Sequence, residues 1–302
     1  MPIAAEFRPV DPDRLERLAR FLRNAARVET GYTELDQTWA GSPGSSADLD
    51  RHWIEPGVDP AKTKRAIDTT YAAARVGLIA VTDHAASLAR LITDPDLAGC
   101  LAVEAVARSA VETAARSWWL LQPSVTPRER AARFLADQLF SAYEAEKMAR
   151  KMQWPSGVSG FSPTSDVIKA KCDELGLRYD ANELVPKVDS QRRPSSTMLV
   201  AELMRETIYF PSSPLVYSLS SATTHGTHYA LMRAYVDSGE KRNGDPIFGR
   251  RLDHRQIEPV CGAVLEGFSA TVRRIVRLCR WGLIRIDGYE TPVRRFLYTM
   301  PY

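Results

Sequence analysis

Between Tyr217 and His228 the chain reads Tyr-Ser-Leu-Ser-Ser-Ala-Thr-Thr-His-Gly-Thr-His, a run of hydroxyls and imidazoles without a formal charge. On a helix each residue advances by about 100°. Tyr217, Ser221, Thr224 and His228 then share one narrow face, with His225 at its margin. Solvent-facing helices usually carry Lys, Glu and Arg there, so this face reads as the lining of a pocket. The chemistry it suits is general acid–base work, since imidazole titrates near neutral pH and a neighbouring Tyr or Ser can orient it. His225 and His228 are the expected acid–base pair, with Tyr217 and Ser221 as positioning groups or nucleophile. The bland alternative is a satisfied core histidine among Ser and Thr side chains bonded back to the preceding turn. His-x-x-His could also hold a metal, but no Glu-x-x-His or His-Glu-x-x-His accompanies it, so no metal and no cofactor are expected.

Two further stripes could meet an anion. Glu104, Arg108, Glu112 and Arg116 follow one another at four-residue spacing, amid Val103, Val106, Ala107, Ala110, Val111, Ala114, Ala115, Trp118 and Trp119. Such a ladder is an ordinary solvent-facing salt-bridge row, each Glu preceding its Arg. Here the helix is apolar on nearly every other side, so the stripe is expected to face an internal cleft. Arg108 and Glu112 would then bind substrate together with Thr224. Arg273, Arg277 and Arg280 line one face of the last long helix, with Arg274 beside them. They read either as a solvated face or as phosphate contacts, with Trp281 and Tyr289 able to stack on bases.

The elements that must position these groups announce themselves by one device. Asp11-Pro12, Asp59-Pro60, Asp94-Pro95, Thr126-Pro127 and Ser213-Pro214 each place a capping side chain before a proline, and Thr126 with Glu129 forms a capping box. Ile67, Tyr71, Ala74, Leu78, Val81, Ala85, Leu88 and Ile92 then step by three and four along one stripe, predicting a helix over 60–93. Further helices are expected over about 12–28, 95–121, 127–153, 214–238 and 256–281, with Gly239 capping the one before last. The fold class is therefore all-α, an up-and-down bundle of five to six long helices with an irregular insertion. Residues 1–58 form an N-terminal helix and irregular connection. Residues 59–283 form the bundle core, interrupted by the insertion at 154–195 with one short helix near 165–175. Residues 284–302 form a C-terminal arm or extended hairpin.

With 302 residues and 44% hydrophobic side chains, the chain can bury a sizeable core. Its formal charge is +3, with 32 arginines against 8 lysines. That skew reflects either a GC-rich genome or a preference for the planar guanidinium fork that grips phosphate. Cys100, Cys172, Cys261 and Cys279 form no Cys-x-x-Cys and read as reduced thiols. No signal-like apolar region stands at the N-terminus and no apolar run approaches the length needed to span a bilayer, so a cytoplasmic protein without a membrane partner is expected.

The order of a long helix, an Arg-x3-Glu helix (Arg108, Glu112), a charged helix, an insertion and a Tyr-x3-Ser-x3-His helix (Tyr217, Ser221, His225) has a family likeness. It resembles uncharacterised bacterial all-helical families over roughly residues 60–281, some of which are similar to the HEPN superfamily of defence and toxin ribonucleases. The resemblance implies a helical fold and RNA-directed chemistry. The HEPN signature, an Arg four to six residues before a His on one helix, does not precede His225 or His228. Three functions follow: an enzyme acting on RNA or a tRNA-borne substrate, a non-catalytic interaction or defence-type protein, and a small-molecule transferase or metal-dependent enzyme using the same cavity. The partners expected are RNA or tRNA, a small-molecule substrate and a second copy of the chain in a homodimer.

Overall fold

The computed structural model describes residues 11–35, 40–94, 100–153, 155–180, 186–207, 235–242, 245–250 and 254–298. Nine helices stand among them: α1 (Pro12–Leu35), α2 (Ser46–Arg51), α3 (Pro60–Thr93), α4 (Cys100–Leu120), α5 (Pro127–Lys151), α6 (Pro155–Glu174), α7 (Ser196–Glu206), α8 (His254–Cys279) and α9 (Ile284–Tyr298). The protein is all-α, a helical bundle carrying two small sheets.

The capping logic is visible at the helix starts. Asp59 accepts from Ala61 N at 2.9 Å, and Asp11 accepts from Asp13 N at 3.0 Å. Thr126 and Glu129 exchange side-chain and backbone bonds in a complete capping box at the start of α5. The stripe read along α3 is the buried one: Ile67, Tyr71, Ala74, Leu78, Val81, Ala85, Leu88 and Ile92 are all at most 2% exposed. It packs against α1 and α4, and α8 packs on α4 and also touches α3 and α1. These four helices hold the centre of the core. α5 and α6 pair with each other and lean on α3, α7 lies on α4 and α8, and α9 lies on α1 and α8. One window within α3 does reach the length and mean hydropathy of a membrane span, 1.2, and this corrects the reading that no run approaches it. Its apolar side is the one packed in the core.

Four segments differ from the sequence expectations. α1 runs to Leu35 rather than 28, because Tyr32 continues its buried face; the Tyr32 hydroxyl donates to Gly282 O (3.0 Å) and the ring stacks on Trp281. The insertion at 154–195 is largely ordered. α6 takes twenty residues of it, and Tyr179–Asp180, Lys187–Val188 and Gln191–Arg192 form antiparallel strands β1, β2 and β3. β2 and β3 meet across Asp189 and Ser190, whose φ angles of 48° and 66° are those of a twisted two-residue hairpin. The expected C-terminal arm is instead helical in α9. Ile286, Tyr289, Val293, Phe296 and Leu297 recur at helical spacing and are all buried, and that apolar face outweighs Gly288 and Pro292 as breakers. Finally, the helix predicted to reach 238 does not: β4 (Tyr235–Arg242) pairs antiparallel with β5 (Asp245–Arg250).

Candidate functional site

α4 is buried on the sides that meet α3 and α8, and its polar stripe is the remaining face. Glu104 is 3% exposed at its start. One turn on, Arg108 Nε donates to Glu112 Oε1 at 2.7 Å, so the pair expected from spacing is formed, and it is half-buried. The ladder then ends. Arg116 turns away from Glu112 and grips Asp137 on α5, donating Nε to Oδ2 at 2.7 Å and Nη2 to the same oxygen.

Asp137 is 1% exposed and receives a second cation. Arg193 Nε lies 3.0 Å from Asp137 Oδ1, a close ion pair whose angles make no hydrogen bond. The β2–β3 hairpin delivers Arg193 there, and its guanidinium lies 4.4 Å from the Phe140 ring. Burial draws Arg193 below the ordinary arginine pKa, while Asp137 pulls the other way. One carboxylate thus faces two guanidinium groups, and the cluster carries a net positive charge. Arg116 Nη1 has no partner among the described residues.

Beside this cluster a cavity of about 380 Å³ lies between α3, α4 and α5. Thr113, Arg116 and Ser117 line it from α4, and Asp137 and Gln138 from α5. Its α3 wall is kept low by Gly77, where an added Cβ would stand 2.1 Å from Ser117 Oγ. The arrangement offers a free guanidinium edge, hydroxyls and an amide above an apolar wall. That is what recognition of a small anionic group requires: fork-shaped charge for oxygens, and concavity to exclude water.

The other predicted residues are placed as follows. Arg273 donates Nε to Glu290 Oε1 (2.6 Å) and Nη2 to Asp287 Oδ1 (2.8 Å), so its fork is held by α9. Arg277 and Arg280 are exposed. Arg274 is buried over the Trp118 ring, 3.6 Å from its centroid, and pairs with Glu206. Tyr289 is buried edge-on against Phe268. Tyr217, Ser221, Thr224, His225 and His228 lie outside the described residues, and so does their expected meeting with Arg108 and Glu112. Sequence reasoning missed Asp137 and Arg193; a buried Asp among Ala136 and Leu139 was the available signal. Among the described residues no group of three His, Cys, Asp or Glu could hold a metal ion. No family model, curated protein or solved structure matches the chain.

Proposed function

We propose that this is a cytoplasmic enzyme that binds a phosphate-bearing substrate, RNA or an RNA-linked group, in the α3–α4–α5 cleft. The observation that carries the reading is Arg116, which lines the cavity while Asp137 takes its Nε and Nη2 and no hydrogen bond takes Nη1 among the described residues. A cleft of this size suits one nucleotide or an unpaired RNA end rather than a duplex. Arg108 and Glu112, two turns and one turn before Arg116, extend the polar seam. Tyr217, Ser221, His225 and His228 supply the proton-moving groups in this reading, and Thr224, Arg277 and Arg280 further contacts. The placement of Arg273 in ion pairs with Glu290 and Asp287 favours the cleft over the α8 arginine stripe as the anion's seat.

The test combines a gel shift on bulk tRNA and single-stranded RNA with calorimetry on adenosine monophosphate, at low and moderate salt. Binding is expected to weaken steeply with salt. The Arg116→Gln protein is expected to lose at least about tenfold in affinity for each ligand, the loss of one charged fork. Binding of tRNA but not the monophosphate would place the contact on an extended surface. No binding to either ligand at low salt, or equal binding by Arg116→Gln, overturns the proposal.

A further inference from the structure

Glu266 stands on α8 in the turn before Ser269 and two turns before Arg273. It is 7% exposed, and neither of its carboxyl oxygens accepts or donates a hydrogen bond. A carboxyl so deep in a helical bundle is ordinarily paired or hydrogen-bonded. The groups facing it come from three elements. From the end of α7, Glu206 is held by Arg274 and by Trp118 Nε1 (2.9 Å). Thr207, next along, directs its hydroxyl to Met204 O at 2.8 Å, close enough to Glu266 to draw on its carboxyl as well. From α8 itself, Arg273 is taken by Glu290 and Asp287. From α9, Glu290 is only 2% exposed and also pairs with Arg294. Among the described residues every other carboxylate in this ring has a guanidinium on it, and Glu266 does not.

These residues line a small open cavity of about 80 Å³, with Glu206, Thr207, Glu266, Ser269, Glu290 and Arg294 among its walls. It is several times the volume that one water needs. We propose that this cavity, between the end of α7 and the facing sides of α8 and α9, binds a small alkylammonium group with Glu266 as its counter-ion. The ammonium N–H groups supply the donors that Glu266 lacks, and Ser269 Oγ is a further acceptor on the same wall. The cavity admits a methylammonium-sized head, and a quaternary head, having no N–H, cannot supply the donors. This site is separate from the α3–α4–α5 cleft and does not depend on its function.

Burial pushes the Glu266 carboxyl up to about 7, against the opposing pulls of the Thr207 hydroxyl and of Arg294. The binding step therefore balances differently on either side of neutrality. Below pH 7 the neutral acid meets the ammonium cation, an ion pair forms, and one proton is released to buffer. Well above pH 7 the carboxylate is already formed and no proton is released. Affinity for the cation should rise about tenfold between pH 6 and pH 8, the ratio of ionised fractions for a group titrating near 7.

The experiment is calorimetric titration of the full chain with methylammonium chloride at pH 6, 7 and 8, in buffers of differing ionisation enthalpy. Tetramethylammonium chloride is the control without N–H donors. Expected are binding of methylammonium with proton release at pH 6, about tenfold tighter binding at pH 8, and no binding of tetramethylammonium. Glu266→Gln should abolish the binding, and Glu144→Gln, at an exposed carboxyl, should keep it. Absence of methylammonium binding, binding without proton release at pH 6, equal binding of tetramethylammonium, or undiminished binding by Glu266→Gln each overturns the proposal. The proton-release measurement uses the wild-type chain alone and stands even if the Gln variant does not fold.

Discussion

Asp50 and Glu266 are equally deep, each 7% exposed, and they are treated in opposite ways by their surroundings. Asp50 Oδ2 accepts from the Tyr71 hydroxyl at 2.8 Å and from Arg130 Nε at 2.9 Å. Arg130 is itself only 1% exposed and uses its remaining nitrogens on Leu120 O (2.6 Å) and Gln122 O (3.1 Å). The Tyr71 ring lies under two guanidinium groups, Arg51 at 4.9 Å and Arg130 at 5.6 Å. Thus α2, α3, α5 and the last turn of α4 are tied by one knot in which every donor has an acceptor. Glu266 completes no hydrogen bond and no ion pair among the described residues, with only the Thr207 hydroxyl and Arg294 near enough to pull on it. Burial alone therefore does not separate a structural charge from a functional one. The separating quantity is whether the neighbourhood completes the group's hydrogen bonds, because an incomplete buried group holds free energy that a ligand can release.

The sharpest way to break this contrast is to make the Asp50 region resemble that of Glu266. Arg130→Met keeps most of the volume and removes the cation. It leaves Asp50 with one donor, and leaves the Leu120 and Gln122 carbonyls without theirs. Removing one partner of a buried ion pair costs about 3–5 kcal/mol. Chemical unfolding of Arg130→Met should show a loss in that range. A loss under about 1 kcal/mol would mean that water reaches Asp50 and that the knot is not sealed.

How far the sequence carried this picture depends on the range over which each feature acts. α3 matches its predicted span residue for residue, because a cap, a proline and an uninterrupted stripe are all local. The Arg108–Glu112 pair is equally local, a four-residue spacing on one helix. What resisted reading is long-range. Nothing near Arg116 announces that it prefers Asp137 on the next helix, and nothing near Arg193 says that a hairpin carries it to the same carboxylate. Arg130 and Asp50 are linked only through the packed fold. α6 was underestimated because Ser156, Gly157, Ser159, Gly160 and Pro163 have poor helix propensity, which packing on α5 overrides. β4 was overrun by extending a helical period past 234, although Asn243-Gly244 between the two strands is a strong hairpin signal.

The second test moves Glu266 toward satisfaction. Its folded-state pKa is raised from 4.5 to about 7, so between those values the folded chain holds a proton that the unfolded chain has released. Stability from this group is therefore complete below about pH 4.5 and is lost as pH rises through 7. Glu266→Gln keeps the shape and removes the charge. It should raise stability at pH 8 by about 3 kcal/mol and change it little at pH 4.5. Unfolding curves of both proteins across pH 4.5–8 check the sign as well as the size. A variant that is less stable than wild type at pH 8 would show that the ionised carboxylate is compensated in the fold, and would remove the contrast with Asp50.

The finest test lies within the knot. Tyr71→Phe deletes one of two donors to Asp50 and leaves Arg130, the ring and both overlying guanidinium groups in place. A hydrogen bond to a charged acceptor contributes about 1.5–3 kcal/mol, so a loss near the lower end is expected while Arg130 still neutralises Asp50. The two effects are not independent. In Arg130→Met the tyrosine hydroxyl is the one side-chain donor left to Asp50 among the described residues, so deleting it there should cost more than deleting it in wild type. A double-mutant cycle measures that difference directly. Strict additivity would mean that the two donors act separately on Asp50. The knot would then be a sum of two bonds, and Glu266 would differ from it only in number of partners rather than in kind.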